Sequence, residues 1–348
     1  METVFVGLSG GVDSAVSAAL LKKRGYDVIG CFIKIWQPEF VECTWRDDRL
    51  DAMRVAAVLG IPFCEVDLSA EYKREVVEPM IADYARGVTP NPDVRCNRAI
   101  KFGHFAKWAR ENGADMVATG HYARVGEHGG TPAILRGVDT NKDQSYFLYE
   151  LSEGDLSHTL FPTGDLTKRE VRALATKFDL PNADKPDSQG ICFLGDVSME
   201  RFLSRFIPLA KGPVFNTAGE NIGEHAGAAL YTAGQRHGFT VHTPEEARGV
   251  YYVVATDTRK NSVTVSQNRL DAACKEVTLE RVHWIGDTIL PLEAAAQTRY
   301  RETPAKVRVE GRGTEARILF EEPHIASTGQ SLVLYENDRV LGGGTISR

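Results

Sequence analysis

The chain has 348 residues, 43% hydrophobic and 25% charged, and its 41 Lys+Arg against 47 Asp+Glu leave a net charge of −6. At roughly 100–200 residues per domain this length predicts two or three domains, and the composition excludes a disordered chain, a collagen-like repeat and a disulfide-stapled miniprotein. The longest apolar runs, such as Val4–Leu8, fall far short of the about 20 residues that span a bilayer. Met1 leads straight into a strand-like run, with no charged segment followed by an apolar one. A soluble, cytoplasmic protein with no membrane partner is expected.

The first half alternates strand and helix signals. Thr3–Leu8 reads as a strand, Ser14–Arg24 as a helix closed by Gly25, and Asp27–Ile35 as a second strand. Asp47–Leu59 is helical, with Leu50, Met53, Ala57 and Val58 at helical spacing and Gly60 as its stop. Pro62–Leu68 is strand-like. Ser69–Arg86 is a helix with Ser69 as a candidate N-cap. Asn97–Asn112 is a helix and Met116–Ala123 a strand. Strands alternating with 10–15-residue helices predict a parallel α/β sheet.

Leu166–Phe178 and Ser198–Ile207 still read as helices around a polar loop, Lys185–Gly195. From about Lys211 helical periodicity vanishes. Tyr251–Ala255, Ser262–Ser266, Val307–Val309, Ala316–Phe320 and Ser331–Tyr335 are short β-type runs separated by Gly, Asn and Asp. The predicted organisation is an α/β domain at 1–205, a small β-rich domain at 206–272 and a β-barrel-like domain at 273–348.

The acidic balance does not predict a nucleic-acid partner, but two basic stretches stand out. Val94–Arg110 carries Arg95, Arg98, Lys101, Lys107 and Arg110 with no acid. Gln297–Leu319 carries Arg299, Arg301, Lys306, Arg308, Arg312 and Arg317 against three glutamates. On charge alone, both read as solvated faces. The six cysteines, at 31, 43, 64, 96, 192 and 274, form no Cys-x-x-Cys pair, so neither a zinc finger nor a disulfide framework is expected. Cys31 and Cys64 lie in apolar strand-like runs and read as packing residues.

The first strand runs into Gly7-Leu8-Ser9-Gly10-Gly11-Val12-Asp13-Ser14 and then directly into a helix. Glycines let backbone N–H groups converge on an anion, and the helix start adds partial positive charge. Asp13 can help hold a divalent cation beside the phosphates. The loop lacks the Gly-Lys-[Ser/Thr] ending of a Walker A motif and the spacing of a dinucleotide fingerprint. It resembles the pyrophosphate loop of the N-type ATP pyrophosphatases, which cleave ATP between the α- and β-phosphates and place AMP on an acceptor oxygen.

Two cysteines sit in polar, turn-rich segments. Thr89-Pro90-Asn91-Pro92-Asp93-Val94-Arg95-Cys96-Asn97 is a stiff entry to a helix, with Asn97 as a candidate cap. That would place Cys96 at or just before the helix N-terminus, beside Arg95 and Arg98, where a thiolate is favoured. Cys192 lies in Asp187-Ser188-Gln189-Gly190-Ile191-Cys192-Phe193. Alone, each reads as structural. In a chain that activates an oxygen with ATP, the pair suggests sulfur chemistry: one thiol carries a persulfide, the other attacks it, and a reductant reopens the resulting disulfide.

With these segments, Asp48–Pro62, Ala118–Arg124, Asp139–Leu148, Tyr231–Gly238, Arg299–Arg301 and Gly329–Ser331, the chain resembles the tRNA 2-thiouridylases (tRNA-uridine 2-sulfurtransferases) over essentially its whole length. The resemblance implies that Gly7–Ser14 (Gly7, Leu8, Ser9, Gly10, Gly11, Val12, Asp13 and Ser14) holds ATP with Mg2+. Ile33 and Gly120 would line the nucleotide. Cys96 would be the nucleophile that resolves a persulfide carried on Cys192. Asn91, Pro92 and Asp93 would meet the target base, with Asp93 placed for acid–base work. His121, Lys142, Asp143, Gln144, Arg299, Tyr300 and Gln330 would contact tRNA. The implied partners are the anticodon arm of tRNA and a cysteine desulfurase or sulfur-relay protein as donor.

Chemistry alone supports part of this assignment. A stacked uracil must be turned out before C2 can react, and adenylation makes its O2 a leaving group. Lys142 and Arg299 suit phosphates, and Tyr300 offers a stacking face. Plainer readings exist for single residues: His121 as a satisfied polar side chain, Lys142–Asp143 as an exposed ion pair, Tyr300 as barrel core. A second reading of the cysteines is a [4Fe-4S] cluster held by Asp93, Cys96 and Cys192. Rival functions are another ATP pyrophosphatase acting on a small metabolite and a tRNA-binding protein that keeps ATP as a structural ligand. The chain departs from the family pattern at Ile33-Lys34, at Ala233 and His237, and at Ile325–Thr328, which lacks the usual proline.

Overall fold

Alternate residues of the first strand serve opposite faces of one sheet: Val4 and Val6 pack on one side and Phe5 on the other, all buried. The computed structural model describes residues 1–41, 45–187, 193–195, 197–242 and 249–347. Its first sheet contains β1 (Thr3–Gly7), β2 (Asp27–Lys34), β3 (Phe63–Asp67) and β4 (Met116–Ala118). After a hairpin of β5 (Ala123–His128) and β6 (Thr131–Arg136) comes its fifth strand, β7 (Thr159–Leu160). The strands are parallel in the order β3-β2-β1-β4-β7. Parallel sheets are covered on both faces, which is why β1 and β2 are apolar without alternation. Strand order reverses between β1 and β4, and in such sheets ligands bind at that switch point, outside the carboxyl ends of the strands.

Helix α1 (Val12–Lys23) starts one residue after Gly11 and buries eight of its twelve residues, mostly alanine, serine and valine, which allow close approach to the sheet. Helix α2 (Trp45–Leu59) corrects the sequence reading of its inner face. Ala52, Val55 and Ala56 are buried, whereas Leu50, Met53, Ala57 and Val58 are exposed. The smaller residues win the inner face because they let the helix lie close to β2. Ser69 is the first helical residue of its segment and not a cap. It is met instead by the Asp67 carboxylate, which accepts its backbone N–H at 3.0 Å.

The predicted strand Met116–Ala123 ends at Ala118, and Ala123 opens the β5–β6 hairpin, which the sequence reading lacks. That hairpin joins the C-terminal sheet, with Leu135 opposite Arg339. The β-rich part begins with β8 (Gly212–Phe215), β9 (Asn221–His225), β10 (Phe239–Val241), β11 (Tyr252–Asp257) and β12 (Ser262–Ser266). They form one sheet in the order β10-β9-β8-β12-β11. Then come β13 (Cys274–Trp284), β14 (Leu292–Gln297), β15 (Ala305–Arg312), β16 (Glu315–His324), β17 (Ser331–Glu336) and β18 (Arg339–Ser347). These six close into an antiparallel barrel, because β13 pairs with both β16 and β18. The expected fold class, a parallel α/β domain followed by two small β-rich parts with a barrel last, is the fold observed. No helix among the described residues is long and apolar enough to cross a membrane.

Candidate active site

The loop after β1 and the first turn of α1 form a cradle of backbone amides. Leu8 and Val12 are buried and anchor it, while Ser9, Gly11 and Asp13 remain accessible. The Ser14 hydroxyl accepts from the Ser9 backbone N–H at 3.2 Å and donates to the Gly11 carbonyl at 3.1 Å, closing the loop on itself. Gly11 occupies the N-cap position and, among the described residues, no side chain caps the helix. The first-turn N–H groups therefore keep no side-chain partner at the cap, as an anion site requires. Gly10 has φ +77°, and a Cβ there would lie 2.4 Å from the Asp48 carbonyl oxygen. Gly120, after β4, approaches as closely: a Cβ would lie 2.6 Å from the Ser14 nitrogen. Ile33 at the end of β2 borders Gly7. The structure thus gathers Gly7–Ser14, Ile33 and Gly120 at the switch point, and their donor set fits a polyphosphate.

Asp13 Oδ1 accepts from the Tyr122 hydroxyl at 2.8 Å and from Lys168 Nζ at 2.7 Å. Lys168 also reaches Asp187 at 2.8 Å, and Asp187 is further held by Lys142 at 2.5 Å and Arg172 at 2.8 Å. Burial pushes the Asp187 carboxyl up, but hydrogen bonds from Lys142 and Lys168 and their charges outweigh it and bring it down to about 2. Sequence reasoning missed Lys168 and Asp187 as partners. Thr167 and Glu170 form the capping box that starts the helix Lys168–Lys177, so the position of Lys168 was legible but its target was not.

Cys96 lies further into its helix than expected. The helix starts at Pro92, and its N-cap is Asn91, whose side chain accepts from the Val94 N–H at 3.4 Å; Asn97 caps nothing. Proline at the first position suits this geometry, since its missing N–H would have had no intrahelical partner. Asp93 and Cys96 are three residues apart, hence on one side of the helix. From Cys96 to Phe105 the winding is π-helical, a form frequent at functional sites. Cys96 is buried, 7% exposed. The expected electrostatic support is diverted: Arg95 pairs with Asp83 at 2.6 Å and Arg98 with Glu150 at 3.5 Å. Burial raises the Asp93 carboxyl above its ordinary value, against the opposing charge of Lys101. Cys192 and the rest of Ser188–Cys192 lie outside the described residues, as does Cys43. Their flanks are placed: Asp187 on the cations above, and Phe193 buried in the core that also holds Cys96.

His121 is buried, with Nδ1 2.7 Å from Thr119 Oγ1 and Nε2 3.3 Å from Lys101 Nζ. Lysine only donates, so Nε2 accepts and Nδ1 carries the proton toward Thr119. Burial, then the Lys101 charge, holds the imidazole well below its ordinary pKa, hence neutral. Asp143 pairs with Arg136 at 3.2 Å and not with Lys142. It also accepts from the backbone N–H groups of Gly137 and Ser145 and from the Ser145 hydroxyl. Gln144 Oε1 accepts from the Tyr122 N–H at 3.0 Å.

From the barrel, Arg299 donates to the Ala233 carbonyl of the middle sheet region, and burial lowers its pKa against the pull of Glu302. Tyr300 packs on Phe147, with ring centroids 4.7 Å apart, outside the barrel core. Gln330 donates to the Thr89 carbonyl at 2.8 Å. These three residues tie the barrel to the middle sheet region and to the α/β part. The two basic stretches are largely spent on partners, as in Lys306–Glu321, Arg308–Glu310 and Arg317–Glu276.

Comparison with known proteins covers the whole chain. Residues 2–196 match the model described as tRNA methyl transferase HUP domain, 200–267 the tRNA methyl transferase PRC-barrel domain, and 274–346 the aminomethyltransferase beta-barrel domain. The tRNA-specific 2-thiouridylase MnmA of Streptococcus uberis is 44% identical over 352 residues, covering 99% of this chain and 94% of that protein. The Enterococcus faecalis protein of the same name is 43% identical, with 99% and 95% covered. Among solved structures, the U34-tRNA thiolase NcsA from Methanococcus maripaludis with its [4Fe-4S] cluster matches at a TM-score of 0.36 and 20% identity, over 60% of this chain and 67% of that one. With matches to three successive domain models and near-full-length identity of this order, the chain belongs to the tRNA-specific 2-thiouridylase family.

Proposed function

We propose that this protein is an ATP-dependent tRNA-uridine 2-sulfurtransferase that thiolates C2 of the wobble uridine in tRNAs for Lys, Glu and Gln. ATP would lie in the Gly7–Ser14 cradle with Ile33 and Gly120 beside it. Uracil O2 attacks the α-phosphorus, pyrophosphate leaves, and the oxygen becomes part of an AMP leaving group. Bound Mg2+, with Asp13 of the loop as a candidate carboxylate donor, would neutralise phosphate charge. Asn91, Pro92 and Asp93 would hold the flipped base.

The sulfur comes in two balanced steps. A persulfide on Cys192, supplied by a cysteine desulfurase or relay protein, attacks C2 with its terminal sulfur and expels AMP. The Cys96 thiolate then attacks Cys192 Sγ, which releases the thiocarbonyl base and leaves a Cys96–Cys192 disulfide. A cellular dithiol reduces it. The observation that carries this reading is the arrangement of anchors: the residues flanking Ser188–Cys192 are Asp187, bonded through Lys168 to Asp13, and Phe193, in the core with Cys96.

The test is mass spectrometry of tRNA nucleosides after incubation with ATP, magnesium, and a cysteine desulfurase with cysteine as the persulfide source. We expect 2-thiouridine with the native chain and none with Cys192→Ser. Full activity of that variant would remove the persulfide route. Iron and acid-labile sulfide in anaerobically purified protein would favour the [4Fe-4S] reading at Asp93, Cys96 and Cys192.

A further inference from the structure

We infer that Asn182 is a positioning residue for the nucleotide, which aims the Gly11 amide at the phosphates by holding the Gly10 carbonyl. The inference rests on the reading of Gly7–Ser14 as the pyrophosphate loop. Asn182 is 4% exposed and lies in the turn after the helix Lys168–Lys177. Its Nδ2 donates to the Gly10 oxygen at 2.9 Å across 172 positions of sequence.

A trans peptide is planar, so its C=O and N–H point to opposite sides. Fixing the Gly10 oxygen on Asn182 therefore turns the Gly11 N–H the other way. Among the described residues its acceptor is Ser9 Oγ at 3.4 Å, a long contact that a phosphate oxygen can replace. A Gly-Gly peptide is the link least restrained by side-chain sterics, so its orientation has to come from outside the loop. The Asn182 bond supplies it.

The other half of the amide supports the assignment. Asn182 Oδ1 is buried and, among the described residues, has no hydrogen-bond partner. Keeping an unpaired oxygen inside the protein is costly, and leucine would serve packing better. The single bond to Gly10 accounts for the residue. The same segment is separately fastened by Lys185, which reaches Asp48 at 2.8 Å and Asp51 at 2.7 Å. The segment's placement and its grip on Gly10 are therefore separable.

The experiment compares Asn182→Asp, which keeps the shape but offers the Gly10 oxygen an acceptor, with Lys185→Met. Binding of magnesium pyrophosphate is measured by calorimetry, and thiolation kinetics give KM and kcat. For Asn182→Asp we expect pyrophosphate affinity and the KM for ATP to worsen about ten-fold or more, with kcat and tRNA affinity within about three-fold. Lys185→Met should keep pyrophosphate affinity within about two-fold of the native chain. Equal losses in both variants, or native affinity in Asn182→Asp, would overturn the inference. Because the aspartate variant can misfold, native protein labelled with 15N-glycine is also titrated with pyrophosphate. A Gly11 amide resonance that does not move while the others do would overturn it as well. Native protein that binds neither pyrophosphate nor ATP would instead refute the pyrophosphate-loop reading itself.

Discussion

Gln330 donates its side-chain N–H to the carbonyls of Thr89 and Pro90, at 2.8 and 3.2 Å, tying the barrel to the turn that precedes Asn91-Pro92-Asp93. On the other side, the Thr89 hydroxyl lies 2.7 Å from that of Thr232 in the middle region. The turn that positions the proposed base-binding residues is thus held by both β-rich parts. Gln330→Ala should lower the thiolation kcat roughly ten-fold, the effect of about 1.4 kcal/mol at the transition state. The KM for ATP should not move. Single-turnover formation of 2-thiouridine checks this.

Asp143 separates an RNA contact from an internal tie. It is buried against Arg136, whose guanidinium lies 3.6 Å from the centre of the Tyr335 ring. Removing one partner of a buried ion pair costs about 3–5 kcal/mol. Asp143→Ala should lose stability of that order in urea unfolding, while the folded variant binds tRNA like the native chain. Unchanged stability with weakened tRNA binding would make it a direct contact.

Asp187 sets a pH signature. Its carboxyl is held down to about 2 in the folded chain, against about 3.9 when unperturbed. A depressed pKa stabilises the fold above the unfolded value and loses that contribution as pH falls through the folded one. The advantage of the native chain over Asp187→Asn should be complete above about pH 4 and shrink toward about pH 2. Thermal melts of both proteins across that range measure it.

Lys168 bridges Asp13 and Asp187 and is only 17% exposed. Its ammonium is the cation that an arriving phosphate can claim. Lys168→Met should weaken ATP binding roughly ten-fold, the scale of one charge-assisted hydrogen bond, and leave tRNA affinity unchanged. Pyrophosphate-release kinetics at varied ATP would read the change as a rise in KM.

Cys96→Ser should still adenylate the base and accept sulfur on Cys192, but should stall before release. The expected readout is pyrophosphate release close to one equivalent per enzyme, with the RNA held in a disulfide to Cys192 that a small thiol frees. Release of free 2-thiouridine tRNA in the first turnover at the native rate, without added thiol, would show that Cys96 is not the resolving group.

The sequence by itself determined the parallel sheet, the loop Gly7–Ser14 and the helix behind it. These depend on contacts between near neighbours: buried strands that lack alternation, glycines where the backbone must turn, and a helix start beside them. It also determined the all-β character after Lys211, through short runs between turn residues. It missed β14, whose Leu-Glu-Ala-Ala-Ala-Gln has a helix former's composition, and β18, whose interior carries three glycines. Barrel closure overrides such local preferences, because each strand is held by two neighbours.

Only the tertiary structure decided which charges meet. Asp143 found Arg136 rather than adjacent Lys142, and Lys142 found Asp187, 45 positions away. The inner face of α2 was likewise decided by the sheet it packs on, which selected Ala52, Val55 and Ala56 over the larger Leu50 and Met53. Long-range pairs such as Asn182 with Gly10 leave no periodicity in the sequence, since the energy of a hydrogen bond depends on where two atoms end up and not on the residues around either one.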